Sequence, residues 1–106
     1  MSLAPAVGEL LKRQETDGKF IGAICAGPIV LDAHKVYMGK NITGYPTFRE
    51  QLSDKYKYVD EKVVVDDKLI TSKGPATAFD FSLKIVELLL NAEQSSNVAK
   101  MLLLIE

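Results

Sequence analysis

Apolar positions recur at helical spacing near the start of the chain, where Val7, Leu10 and Leu11 form one stripe. The pattern predicts a helix from Ser2 to Glu15. Ser2 caps it, Pro5 suits its first turn, and Gly18 ends it in the turn Thr16-Asp17-Gly18. The period then changes. Phe20-Ile21-Gly22-Ala23-Ile24 is short and wholly uncharged, which fits a strand buried on both faces of a parallel sheet. Cys25 follows at once. Ala26 to His34 returns to helical spacing, with Ile29, Val30 and Ala33 on one face.

The second half continues the alternation. Asn41-Ile42-Thr43 is a strand candidate closed by Gly44-Tyr45-Pro46, and Pro46 opens a short helix to about Leu52. Tyr56 to Val59 reads as a strand or a turn. Lys62 to Val65 and Lys68 to Thr71, joined by Asp66-Asp67, read as a β-hairpin. After the loop Lys73-Gly74-Pro75 comes the strongest helix, Ala76 to about Leu90. Thr77 is placed to cap it, and Phe79, Leu83, Val86 and Leu90 share one face. Ser95 to Met101 forms a last short helix, and Leu102 to Ile105 is an apolar tail that needs a docking surface. Helices alternating with strands predict an α/β fold.

Composition narrows the function classes. At 106 residues the chain holds one domain at most. A hydrophobic share of 47% with 25% charged residues is that of a globular chain, which excludes disorder and low complexity. Thirteen basic and 14 acidic residues leave a net charge of −1, so no basic excess is present to neutralise phosphates and nucleic acid is not an expected partner. No uncharged apolar run reaches the roughly 18 residues of a membrane span, so no membrane partner is expected. No basic region followed by an apolar stretch marks a secretory signal. One cysteine and one histidine exclude an internal disulfide and a multi-cysteine metal site, so no metal or other cofactor is expected. A reducing intracellular compartment is the default.

Asp54, Asp60, Glu61, Asp66 and Asp67 fall across loops and a turn, without the spacing of a calcium loop, and read as solvated surface. Tyr37, Tyr56 and Tyr58 share no predicted face with basic residues and read as packing.

The chemically loaded segment is Gly22-Ala23-Ile24-Cys25-Ala26-Gly27-Pro28. An apolar strand runs into a cysteine, and two small residues lead into a helix. This is the pattern of a nucleophile elbow, whose sharp turn leaves no room for large neighbours. The turn lifts the sulfur out at the carboxyl edge of the sheet, where α/β folds place their sites. The helix start turns amide donors and the positive dipole end toward the sulfur, which favours thiolate. The Ala26 amide is a candidate oxyanion donor. The plainer alternative is a small buried core residue, and both stay open on local pattern alone. His34 lies nine residues on. A helix of that length spans about 13 Å, which puts His34 out of reach of the sulfur and makes it a C-terminal cap.

The ordered set Ala23 to Pro28, Ala33-His34, Thr43 to Pro46 and Leu69 to Phe81, with Ile85-Val86-Glu87 after it, resembles the parkinsonism-associated deglycase group of the ThiJ/PfpI superfamily. The resemblance covers residues 2 to about 90, with a similar tail from Val98 to Ile105. It implies a flavodoxin-like α/β sandwich, a homodimer and a reactive, oxidation-prone Cys25. It implies methylglyoxal or its glycated adducts as substrate, with glyoxalase or deglycase, oxidative-stress-sensing and chaperone activities. It implies a cytoplasmic place, with nucleus and mitochondrion as further family compartments. The protease branch has histidine directly after the cysteine; here that residue is Ala26.

The sequence departs from the group in three ways. It matches only the C-terminal portion, a single partial domain over residues 1–106, without the first strands, the glutamate that bonds the cysteine, or a glycine-rich pocket loop. Tyr45 stands where histidine is common; a tyrosine hydroxyl orients groups, and with an ordinary pKa near 10 it is a poor base at pH 7. The pocket loop, commonly Arg-Gly-Pro-Gly, is Lys73-Gly74-Pro75-Ala76, which exchanges a planar fork for a point charge. The expected site is therefore Cys25 and Tyr45, with Ala26 as backbone donor and Gly74 and Pro75 in the pocket loop. The partial match adds two expectations: an apolar strand edge left open beside Phe20 to Ile24, and, as alternatives to catalysis, a non-catalytic redox sensor or an inactive fragment.

Overall fold

The computed structural model describes residues 4–102. Helix α1 (Pro5–Thr16) is followed by strand β1 (Ile21–Ile24) and helix α2 (Gly27–Ala33). Strand β2 (Asn41–Ile42), a 3₁₀ turn and helix α3 (Arg49–Ser53) lead to strand β3 (Lys57–Tyr58). The hairpin β4 (Val63–Asp66) and β5 (Leu69–Ser72) precedes a second 3₁₀ turn and helices α4 (Ala78–Leu89) and α5 (Ala92–Met101).

The α/β expectation is met by two small sheets. The first has the order β1-β5-β4, with β1 parallel to β5 in the register Ile21–Leu69 to Ile24–Ser72, and β4 antiparallel to β5. The second pairs β2 and β3 in parallel. Two bonds tie the sheets together: Asn41 N–H donates to the Asp66 carboxylate at 2.7 Å, and Thr43 N–H to Thr71 Oγ1 at 2.9 Å. All four residues of β5 are buried, so this strand is the centre of its sheet.

Alternation along β1 separates its two faces. Ile21 and Ala23 join Leu31, Val36, Tyr37, Ile42, Leu52, Tyr56 and Leu69 in the core. Gly22 lies on the other face, where the absence of a side chain lets α4 approach: a Cβ there would sit 3.1 Å from Phe81 Cζ. Within the core the Tyr56 hydroxyl donates to the Val36 carbonyl at 2.6 Å. Burial, with the carboxylates of Asp32 and Glu15 adding to it, pushes the Tyr56 phenol above the ordinary value.

Among the described residues β1 has one strand partner, so its other edge is open, and Gly22 is exposed there. An apolar cleft of about 280 Å³ opens between β1 and the residues Val7, Leu11 and Val30 of α1 and α2. The partner of β1 is the hairpin strand β5, whereas β2 turns away to β3.

Several local expectations are corrected. Helix α1 starts at Pro5 behind Ala4, which offers no side-chain cap; Ser2 lies outside the described residues. The fully buried residues of α2 are Pro28, Leu31 and Asp32; of the expected face, Ile29 packs partly buried against the core while Ala33 is exposed, because the core lies under Leu31 and because Lys55 and Gln51 donate to the Asp32 carboxylate. Helix α4 sets Phe81 and Ile85 against Gly22, while Phe79 and Leu90 at the ends of the expected face are exposed. Helix α5 begins at Ala92, earlier than expected, because the Asn91 side chain accepts the Gln94 N–H at 2.8 Å. The hairpin turn is Asp67-Lys68, with Asp67 at φ +54°, since Asp66 still pairs with Leu69. Of the apolar tail, Leu102 is half exposed and residues 103–106 lie outside the described set.

Candidate active site around Cys25

Strand β1 reaches its end when Cys25 N–H donates to the Ser72 carbonyl at 3.0 Å, one residue past the last ladder pair. The chain then reverses. Cys25 adopts φ +60°, a left-handed conformation that costs an L-residue about 1–2 kcal/mol. A backbone in that state survives only where its surroundings fix it, and such residues gather at functional sites. Ala26 is exposed and occupies the N-cap of α2 without a side-chain cap, and Pro28, fully buried, fixes the first turn. The small residues of the motif thus give the sharp turn that the sequence pattern requires.

The Cys25 carbonyl is held as well. Tyr45 N–H donates to it at 2.8 Å. Gly44 makes this approach possible: a Cβ there would lie 3.2 Å from Pro28 Cγ and from Leu52 Cδ1, and 3.3 Å from the Cys25 oxygen. Both backbone polar groups of the elbow residue are therefore bonded to other segments, and the Cys25 side chain is partly buried.

Tyr45 and the loop Lys73 to Thr77, with Pro46, line a cleft of about 250 Å³. Gly74 faces the Tyr45 ring, 3.6 Å from Cδ1 to a Cβ built at that position. Tyr45, Gly74 and Pro75 thus meet in one cleft. Cys25 is not among its lining residues; it joins the cleft through its bond to Tyr45. The Lys73 ammonium is engaged with Asp60. That hydrogen bond and its charge, with Arg49 adding a weaker pull, hold the Asp60 carboxyl below the usual carboxylate range.

His34 is the C-cap residue of α2, at the opposite end of that helix from Cys25. Its ring lies over Gly8 of α1, and its buried Nε2 has no hydrogen-bond partner among the described residues. Thr77 does not cap α4 through its side chain. Its hydroxyl instead serves Gly74, accepting from Gly74 N–H at 3.2 Å and donating to the Gly74 carbonyl at 2.9 Å. Ser72 and Thr77 escaped the sequence reading as site residues; the available signal was a pair of hydroxyls flanking Gly74-Pro75, the composition of a side-chain-stapled turn.

No group of three or more His, Cys, Asp or Glu among the described residues could hold a metal ion. No helix among them is long and apolar enough to cross a membrane.

Comparison with known proteins places this geometry. Residues 1–88 match the DJ-1/PfpI family. Protein dj-1beta of Drosophila melanogaster is 51% identical over 104 residues, covering 97% of this chain and 56% of that protein. The glutathione-independent glyoxalase DJR-1.2 of Caenorhabditis elegans is 48% identical, over 94% of this chain and 54% of its own length. The chain thus spans about half the length of these relatives. The crystal structure of Drosophila melanogaster DJ-1beta superposes with a TM-score of 0.94 at 50% identity, over 96% of this chain and 55% of that one. Oxidized Toxoplasma gondii DJ-1 superposes with a TM-score of 0.89 at 38% identity, over 96% and 55%. An α/β chain with a left-handed cysteine between strand and helix, matched along most of its length, belongs to the DJ-1/PfpI family.

Proposed function

We propose that this chain carries the reactive cysteine of a glyoxalase or deglycase acting on methylglyoxal or its adducts, and that Cys25 also senses oxidants. The observation that carries the reading is the left-handed backbone of Cys25 between β1 and α2, held from both sides. The name of the Caenorhabditis elegans relative supports the reaction class.

In this reading the Cys25 thiolate adds to the aldehyde carbon of methylglyoxal. A carbon–sulfur bond forms, the carbonyl π pair moves to oxygen, and that oxygen takes a proton to give a hemithioacetal. The Ala26 N–H donates to the oxygen as charge develops. The hemithioacetal then isomerises: a proton moves from the former aldehyde carbon to the neighbouring carbonyl carbon, and the hydroxyl proton moves to that carbon's oxygen, giving a lactoyl thioester. Water adds to that thioester, lactate leaves, and the thiol is regenerated. The carbons of the substrate are oxidised and reduced internally, so the sum is one methylglyoxal and one water to one lactate. The family resemblance assigns the proton shift to a glutamate that has no counterpart in this sequence. Tyr45 orients the substrate, and Gly74 and Pro75 wall the cleft beside it.

Stepwise oxidation of the same sulfur to sulfenic and then sulfinic acid gives the sensing role. The Toxoplasma gondii relative solved in an oxidized form favours this second use. The working unit in this reading is a cytoplasmic homodimer, for which the exposed Leu10, Leu89 and Met101 offer apolar surface.

The test is lactate formation from methylglyoxal, followed by proton NMR. The expected result is turnover that disappears in Cys25→Ala. A folded chain that forms no lactate would refute catalysis by this chain.

A further inference from the structure

Ser72 stands at a junction. Its carbonyl accepts the Cys25 N–H at 3.0 Å, which anchors the elbow. Its hydroxyl meets Thr77 Oγ1 at 2.5 Å and the Lys62 carbonyl at 2.8 Å. Both Ser72 and Thr77 are buried. Thr77 Oγ1 in turn accepts the Gly74 N–H and lies 2.9 Å from the Gly74 carbonyl, Gly74 packs on the Tyr45 ring, and Tyr45 N–H returns to the Cys25 carbonyl. The contacts close a circuit from Cys25 through Ser72, Thr77, Gly74 and Tyr45 back to Cys25.

Proton counting shows that the hydroxyl pair is a directed link. Two oxygens so close need a proton between them, and each hydroxyl has one. The chain therefore runs either from Thr77 to Ser72 to the Lys62 carbonyl, or from Ser72 to Thr77 to the Gly74 carbonyl. Each of those carbonyls also accepts a backbone N–H, from Lys73 at 3.2 Å and from Thr77 at 3.0 Å. Either direction thus leaves every buried group paired, and the link holds without an unsatisfied atom.

From this we infer that Thr77, acting through Ser72 and Gly74, is a positioning residue that fixes the cleft wall relative to the cysteine elbow. Although Thr77 is among the residues lining the cleft, its hydroxyl is taken by Ser72 and Gly74. Its hydroxyl keeps the circuit closed, and the closed circuit keeps Cys25 left-handed with its sulfur lifted from the sheet. Without it the elbow relaxes toward the ordinary right-handed backbone and the sulfur turns inward. The inference rests on Cys25 being the reactive group, not on methylglyoxal being its substrate.

Thr77→Val removes the hydroxyl at nearly constant volume, and Thr77→Ser restores it. Cys25 is the sole cysteine, so iodoacetamide alkylation reports on it alone. The expected result is alkylation slowed about tenfold in Thr77→Val and within about twofold of the parent in Thr77→Ser, with circular dichroism unchanged. If the parent also turns over methylglyoxal, kcat falls in Thr77→Val with KM changed less. Where Thr77→Val does not fold, Ser72→Ala, which keeps the Thr77–Gly74 bonds and the backbone bond to Cys25 but removes the hydroxyl that joins Ser72 to Thr77 and to the Lys62 carbonyl, is expected to slow alkylation in the same way. Parental alkylation in folded Thr77→Val or Ser72→Ala, or a Thr77→Ser variant as slow as Thr77→Val, overturns the inference. Absence of lactate with these alkylation rates intact refutes the substrate and leaves the positioning role standing.

Discussion

Cys25→Gly is expected to end lactate formation and yet to unfold at higher urea concentration than Cys25→Ala. Both variants lack the sulfur, so both lose the chemistry. They differ in the backbone. At a right-handed position alanine is more stable than glycine by roughly 0.5–1 kcal/mol, because glycine has more freedom to lose on folding. At φ +60° the order reverses. The alanine Cβ meets the left-handed penalty of about 1–2 kcal/mol, and glycine escapes it, leaving glycine ahead by about 1 kcal/mol after its entropy is subtracted. Urea midpoints for the two variants read the sign directly. Glycine above alanine means that the elbow is strained in solution, and alanine above glycine means that the strained turn is absent. The result bears on function because strain kept at the reactive residue of a folded chain is stability given up for geometry.

Gly8→Ala is expected to destabilise the chain by about 2 kcal/mol, against the usual effect of that exchange in a helix. In an open helix interior the alanine would gain roughly 1 kcal/mol. Here Gly8 is buried in α1, and a Cβ would lie 2.4 Å from His34 Nδ1 and 2.7 Å from Cε1. The ring has little room to retreat, since its Nε2 is already buried. Overlap outweighs propensity. His34→Ala removes the obstacle, so the double variant is expected to recover most of the loss, with a favourable coupling of 1 kcal/mol or more on the order of contacting pairs. Thermal or urea unfolding of the four proteins completes the cycle. A stabilised Gly8→Ala variant would contradict the packing of α1 on the end of α2, the helix that Cys25 begins.

The parts legible in the sequence were those set by neighbours along the chain. An uncharged run ending in Cys25-Ala26-Gly27-Pro28 specifies strand, tight turn and helix through local sterics, and the structure has each in place. The hairpin was readable for the same reason, although its turn shifted by one residue. What stayed hidden depends on distant partners. No local pattern says that β1 pairs with β5 and not β2, because both are short strands and pairing is set by distant tertiary contacts. Periodicity marked an apolar face on α4 but could not weight it, and the contact with β1 falls on Phe81 and Ile85 because Gly22 leaves space there. Thr77 looked like a helix cap, since hydroxyls before a helix usually are. Its oxygen is taken by Gly74 and Ser72, a choice made by the fold and not by the segment. His34 was placed correctly at the end of α2, while its seat on Gly8, 26 positions earlier, required tertiary structure.

The claim at the centre is that the fold makes Cys25 reactive. Peroxide oxidation, mapped by peptide mass spectrometry, tests it most directly when the folded chain is compared with the chain unfolded in urea. Met101, 82% exposed, serves as the internal reference for simple access. Cys25 is partly buried, so access alone makes it slower in the folded state. The account predicts the opposite: relative to Met101, Cys25 oxidises faster folded than unfolded, because the elbow presents the sulfur beside the start of α2. Slower oxidation of Cys25 in the folded chain would show a protected core thiol and would contradict the account.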